Sequence, residues 1–371
     1  MPYFDHSATT PVHPDVLELM KTTQRDVYGN PSSIHTQGRK SKSIIEKART
    51  QLADAIGAKP DQIIFTSGGS ESNNQVLWSM INRNKKHIIS TEIEHPAILN
   101  VLRAMEQFGI NHDCISVDRN GIMNFHEFEN SIQETTGLIS VMLANNEVGT
   151  IQPVKKIVKT VKQKSIPVHT DAVQCLGKIP IDVDELGIDY LSLSAHKFYG
   201  PKGSGILYIR DKESISALII GGGQEKGLRA GTENIALIAG MGLAAEIATE
   251  NLHSHVHHLR NLETQFKTGL KPFFPDAIFN GDDIRKLPGL VNVSFPGFKS
   301  DIMMAKLDRA GIAVSSGSAC GSGIVKPSDI LRAMKVEDEL NICTLRISFG
   351  RTNTADEIAN LLSEINSITK S

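Results

Sequence analysis

The chain has 371 residues, 40% of them apolar and 22% charged, with a formal net charge of −2 at pH 7. That length exceeds the roughly 250–300 residues one core usually serves and predicts two domains, and the near-neutral charge leaves no basic footprint for direct nucleic-acid binding. Cys114, Cys175, Cys320 and Cys343 lie far apart without Cys-x-x-Cys spacing, which argues against a disulfide framework or zinc site and for a reducing cytoplasm. No basic-then-apolar leader opens the chain, and no apolar run approaches the roughly 18 residues of a spanning helix, so a soluble protein without a membrane partner is expected.

From about residue 40 to 250, short β-rich runs alternate with helical patterns. Residues 62–66 read as a strand and precede a capped helical pattern over 70–78; the strand 87–91 and helix 95–102 repeat the arrangement. Residues 138–143 are continuously apolar, as in a strand buried on both faces. Runs at 168–171, 190–193 and 205–209 add further strands. This alternation predicts an α/β architecture, a mainly parallel sheet with helices on both sides. Residues 234–248 form a long helix rich in small residues, and the polar stretch 249–263 leads into a second domain. There 290–295 and 344–349 alternate like half-exposed strands, and 354–369 closes the chain as an amphipathic helix. No internal repeat is visible.

Lys197 follows the strand pattern of residues 190–193, and Asp171 ends that of 168–171. Lys197 reads as a loop cation, or as an amine whose pKa is depressed by burial among His196, Phe198 and Tyr199. Asp171 reads as a turn cap, or as the partner of a pyridinium nitrogen. An imine-forming lysine with such a carboxylate is what a protein needs to hold and tune pyridoxal 5′-phosphate (PLP). Gln174, three residues on, is placed to meet the phenolic oxygen of that cofactor. Residues 68–72, Gly-Gly-Ser-Glu-Ser, lie where a strand meets a helix start, so Gly69 and the Ser70 hydroxyl offer an anion site. Alone, such a glycine pair serves a tight bend as readily; here Ser194 and His196 flank Lys197 closely enough to reach the same phosphate.

His95 begins a helix and reads as a cap or as a ring stacked on the pyridine. Asn146, just past the apolar run, satisfies loop backbone or orients a substrate. Arg346, in an alternating strand, makes a surface ion pair or clamps a carboxylate with two parallel hydrogen bonds. Cys320 sits in residues 315–323, Ser-Ser-Gly-Ser-Ala-Cys-Gly-Ser-Gly, a setting that suits an exposed, reactive thiol rather than a structural one. An electron-sink cofactor and such a thiol together suggest chemistry on a sulfur-bearing amino acid. The histidine-rich run 253–258 reads as a solvated connecting helix and not as a metal site, because no carboxylate stands at ligand spacing.

Five blocks carry a family resemblance: residues 5–11 (Asp-His-Ser-Ala-Thr-Thr-Pro), 29–33 (Gly-Asn-Pro-Ser-Ser), 170–174 (Thr-Asp-Ala-Val-Gln), 194–197 (Ser-Ala-His-Lys) and 229–234 (Arg-Ala-Gly-Thr-Glu-Asn). The run 315–320 is more specific still. Over its full length the chain resembles the cysteine desulfurases, PLP enzymes of the class V aminotransferase group, and in that loop their long-loop, iron–sulfur-assembly branch. The resemblance implies the type I fold of PLP-dependent transferases. Its large domain, residues 13–258, holds a mostly parallel seven-stranded sheet. A smaller α/β domain, residues 1–12 and 259–371, carries the cysteine loop at about 315–330.

It further implies that Lys197 holds PLP, Asp171 pairs with the ring nitrogen, Gln174 meets the phenolic oxygen, and His95 stacks on the ring and assists catalysis. Gly69, Ser70, Ser194 and His196 hold the phosphate, and Thr232 reaches the phosphate of the neighbouring subunit in a homodimer. Asn146, beside the cofactor, and Arg346 anchor the carboxylate of L-cysteine. Cys320 carries the sulfur as a persulfide to acceptor proteins, iron–sulfur scaffolds or tRNA-thiolating enzymes among them. A selenocysteine lyase or an ordinary aminotransferase would use the same frame, although transamination has no use for a loop thiol. Two departures stand out. Gly69-Ser70 replaces the family's common Ala-Thr, and Gly321 and Gly323 stand where bulkier residues are frequent.

Overall fold

The computed structural model describes residues 1–316 and 326–370. The first seven strands are β1 (Ile63–Thr66), β2 (His87–Thr91), β3 (Asn111–Ile115), β4 (Thr136–Ser140), β5 (Val168–Asp171), β6 (Tyr190–Ser194) and β7 (Gly205–Ile209). They form one sheet in the order β1-β7-β6-β5-β4-β2-β3. Neighbours are parallel except at β7, which is antiparallel to both β1 and β6. A second, antiparallel sheet joins β8 (Ile278–Asn280), β9 (Leu290–Ser294) and β10 (Thr344–Ser348) in the order β10-β9-β8. The α/β fold with a mostly parallel seven-stranded sheet is the one the chain adopts.

Successive side chains on a strand point to opposite faces, and both faces of the large sheet are covered. Ile63, Phe65, Ile139, Leu193 and Ile206 pack with Ile45, Leu52 and Met241 from the helices Thr36–Asp54 and Ile235–Glu250. Ile64, Leu138, Tyr190 and Leu207 pack on the other side against Leu77 and Leu102 of the helices Gly69–Trp78 and Pro96–Met105. Each aliphatic side chain fully buried in this way stabilises the fold by about 1.5–3 kcal/mol. The small residues of Ile235–Glu250 let it approach its neighbour closely: a Cβ on Gly242 would lie 2.7 Å from the Ala48 backbone.

A separate core gathers Phe4, Phe266, Val293, Leu345, Phe349 and Leu361 around the small sheet. It includes the helices Leu252–Leu270 and Ala355–Lys370. The N-terminal segment enters this core through Phe4, and Asp5 forms a bridge with Ser348.

Several expectations are corrected. The strand expected at 138–143 is Thr136–Ser140, with its apolar run continuing beyond the strand. The polar stretch 249–263 is helical, as the reading of 253–258 as a connecting helix expected, but the chain turns by 73° at a break between Glu250 and Leu252. β9 and β10 alternate as read, yet every residue in both is buried. Their polar positions face other polar groups rather than water: Asn280 Nδ2 donates to Asn292 Oδ1 at 2.8 Å, and the Ser294 and Thr344 hydroxyls meet at 2.6 Å. Among the described residues no single helix is long and apolar enough to cross a membrane.

Candidate active site

Ligands of parallel α/β sheets collect outside the carboxyl ends of the strands. The chemistry-bearing residues stand there: Asn146 follows β4, Asp171 ends β5, and the turn Ala195–Lys197 follows β6. The N-terminal segment lies across them. Lys197 Nζ donates to the carbonyls of Ser7 at 2.5 Å and Ala8 at 2.8 Å. Burial, reinforced by the cations of Lys178 and Arg346 and opposed by Asp171 and Asp5, lowers its pKa to about 7. Such an amine is substantially neutral at physiological pH, the state a nucleophilic lysine requires.

Asp171 is buried and held on both oxygens. Oδ2 accepts from Asn73 Nδ2 at 2.7 Å, and Oδ1 from the Val173 N–H at 3.0 Å. Gln174 is gripped at both ends of its amide: Nε2 donates to Ser7 O at 2.9 Å, and Oε1 accepts from Lys178 Nζ at 3.2 Å.

β1 leads into the helix Gly69–Trp78 through Gly68, which has φ +154° and provides no side-chain cap. The N–H groups of that first turn therefore lack the side-chain acceptor a capping residue supplies. Ser70 stands exposed on the turn. Ser194 lies alongside, its Oγ 3.6 Å from where a Gly68 Cβ would project. Gly69, Ser70 and Ser194 are thus brought together. A Cβ on Gly69 would sit 2.5 Å from Val173 Cγ2. Val173 occupies the space an alanine would need, which accounts for the glycine. His196 Nδ1 contacts Thr9 Oγ1 at 3.2 Å, and burial with the nearby Lys197 and Lys202 lowers its pKa to about 4, leaving the ring neutral.

His95 caps the helix Pro96–Met105, its Nδ1 accepting from the Ala97 N–H at 3.1 Å. An accepting Nδ1 leaves the ring proton on Nε2. Desolvation lowers its pKa more than the charge of Asp171 raises it, and Lys197 adds to the lowering. The capping reading of this residue holds, and the ring also lies within the electrostatic reach of Asp171 and Lys197.

On the side of the small sheet, Arg346 projects from β10. Its Nη2 pairs with Asp5 Oδ1 at 2.8 Å, and Nη1 donates to Asn146 O at 3.2 Å. Among the described residues, Arg346 Nε and Asn146 Oδ1 are buried without a hydrogen-bond partner. A buried donor left unpaired is costly unless an acceptor arrives, and a carboxylate is such an acceptor. Thr232 is exposed. Cys320 lies outside the described residues. His253 and His257 are exposed while His255 packs edge-on against Tyr199, with ring centroids 5.9 Å apart. No group of three potential metal ligands occurs among the described residues.

Sequence reasoning missed Lys178, Asn73, the Asp5 side chain and the carbonyls of Ser7 and Ala8. The spacing of Gln174 and Lys178, four apart, was a usable signal. The others depend on contacts across 98 to 341 positions of sequence, which no local pattern records.

Taken together, a depressed lysine amine, an oriented buried carboxylate and an uncapped helix start with two hydroxyls match the donor set PLP requires. The class-V aminotransferase family profile matches residues 2–361. A cysteine desulfurase IscS of Dictyoglomus turgidum is 43% identical over 359 residues, covering 96% of this chain and 91% of that protein. The chain belongs to the cysteine desulfurases of the class-V aminotransferase family. Members of this family are PLP-dependent. A solved NifS-like protein superposes with a TM-score of 0.94 at 39% identity, covering 100% of this chain and 99% of that one. A solved structure described as SspA in complex with cysteine gives 0.82 at 35% identity, covering 95% of this chain and 100% of that one.

Proposed function

We propose that this chain is a PLP-dependent cysteine desulfurase that converts L-cysteine to L-alanine and passes the sulfur, as a persulfide on Cys320, to acceptor proteins of iron–sulfur assembly. The observation that carries the reading is the Lys197 amine, lowered to about 7 and tied to the same carbonyl as Gln174, in a chain 43% identical to a protein named for this activity.

When bound, PLP supplies an electron sink that labilises the Cα–H bond of an amino acid. Asp171, fixed by Asn73 and Val173, keeps the ring nitrogen protonated. Gln174 donates to the phenolic oxygen, Gly69, Ser70, Ser194 and His196 hold the phosphate, and Thr232 completes the neighbouring subunit's site in a homodimer. Asn146 and Arg346 take the substrate carboxylate, for which Arg346 Nε is unpaired among the described residues. Lys197, neutral near pH 7, moves the Cα proton, and His95 offers its Nε2–H beside the substrate. The Cys320 thiolate takes the sulfur: the C–S bond of cysteine breaks, an S–S bond forms on Cys320, and the freed carbon is protonated to give alanine. The large domain of this reading spans 13–258, and residues 1–12 with 259–371 form the small one. A cytoplasmic setting fits the cysteine pattern, with iron–sulfur scaffolds and tRNA-thiolating enzymes as the acceptor classes.

The test is incubation of the PLP-loaded protein with L-cysteine and a reductant. Alanine and sulfide are expected in equal amounts, with Cys320→Ser keeping the visible absorbance but losing turnover. A protein that yields no alanine refutes the reading.

A further inference from the structure

Behind the Gln174 amide lies a lysine to which the mechanism assigns no task. Lys178 is buried, and its Nζ makes one hydrogen bond among the described residues, to Gln174 Oε1 at 3.2 Å. From the other end of the amide, Nε2 donates to Ser7 O at 2.9 Å, and Ser7 O also accepts from Lys197 Nζ at 2.5 Å. The two lysines are therefore linked through one amide and one carbonyl. An ammonium with so few partners is costly to bury, and its retention calls for a physical reason.

The two ends of a glutamine amide are nearly equal in shape, so its neighbours choose its orientation. Turned by half a rotation, Gln174 would set its carbonyl against Ser7 O, acceptor facing acceptor, and its NH2 against an ammonium, donor facing donor. Lys178 offers donors and no acceptor in its charged form, and a pKa lowered by burial to about 8 leaves it mainly charged at neutral pH. The orientation that survives keeps the NH2 end on the Ser7 and Lys197 side, with one N–H beyond the bond to Ser7 still to donate.

We propose that Lys178 is a positioning residue: its ammonium locks the Gln174 amide so that the spare N–H, and not the carbonyl, meets the phenolic oxygen of PLP. The inference rests on the PLP reading above. An N–H given to that oxygen stabilises its negative charge and weakens its hold on the proton it shares with the Lys197 nitrogen. Losing the N–H raises the pH at which the cofactor's visible absorbance titrates.

The experiment loads wild type, Gln174→Leu, Lys178→Met and the double variant with PLP and titrates the visible absorbance between pH 6 and 10. Each single substitution is expected to raise the midpoint by about one pH unit, and Gln174→Leu is expected to add nothing in the Lys178→Met background. Additive shifts, or a Lys178→Met midpoint equal to wild type, overturn the inference. Lys178→Gln keeps an N–H donor without the charge and should return the midpoint toward wild type; if Lys178→Met does not fold, this variant decides, because Gln174→Leu must still shift the midpoint within it. A wild-type protein with no visible band on PLP addition refutes the PLP reading itself, and the inference with it.

Discussion

Replacing Lys197 by methionine should make the cofactor-free protein more stable, by an amount that depends on pH in a calculable way. Burial holds the lysine's pKa at about 7 in the folded chain, against about 10.5 for a freely solvated lysine, so between those values the unfolded chain binds more protons than the folded one. Stability contributed by this residue therefore rises with pH across that window. The penalty it imposes on the folded state is about 4 kcal/mol at pH 7 and about 2 kcal/mol at pH 9. Methionine keeps the aliphatic volume and removes the penalty, but it leaves the carbonyls of Ser7 and Ala8 without the donor they now share, which takes back about 1 kcal/mol each. The net gain is about 2 kcal/mol at pH 7 and falls to about zero at pH 9. Urea unfolding of cofactor-free wild type and Lys197→Met at both pH values measures it. The same difference at pH 7 and pH 9, or a variant less stable than wild type at pH 7, would show that this amine is not held in its neutral form by the fold.

Two further outcomes test how the site is supported. Arg49 and Glu225 form a buried two-pronged pair at 2.8 and 2.7 Å, and Glu225 Oε2 also accepts from the Phe65 N–H at 2.9 Å; Glu225→Ala leaves the guanidinium with the Glu46 carboxylate and the Ile63 carbonyl alone and should cost about 2–3 kcal/mol, read as a fall in the urea midpoint. Asn73→Ala removes the 2.7 Å bond that sets Asp171, and should weaken PLP binding about tenfold, the worth of one hydrogen bond to a charged group, as measured by fluorescence titration.

How much of this was legible in the sequence follows from where each signal resides. Lys197 and Asp171 were readable because each follows or ends a short apolar run, and the C-terminal ends of buried parallel strands are where an α/β sheet exposes functional groups. β3 was not readable: Asn111–Ile115 is an edge strand, exposed or half-buried along most of its length, and carries no apolar run to mark it. β8 is only three residues long and fails for a related reason. β9 and β10 were found but misjudged. A polar face turned toward Asn146 and Glu147 has the same alternation as one turned toward water, and periodicity does not distinguish them.

The N-terminal segment shows the same limit most clearly, because its role comes from where it lies. Phe4 is fully buried in the core of the small sheet, while Asp5 pairs with Arg346 of that sheet. Within four residues the chain then reaches Ser7 and Ala8, whose carbonyls hold Lys197 beside the large sheet. One short stretch thus fixes the distance between the arginine expected to hold the substrate and the lysine expected to act on it. Backbone carbonyls do this work for Lys197, and every residue type carries one, so composition cannot reveal it. Asp5 was visible as part of a family block, but only the fold shows that its carboxylate balances Arg346, opposes the two cations that depress Lys197, and so couples the charge of the arginine to the protonation state of the lysine amine.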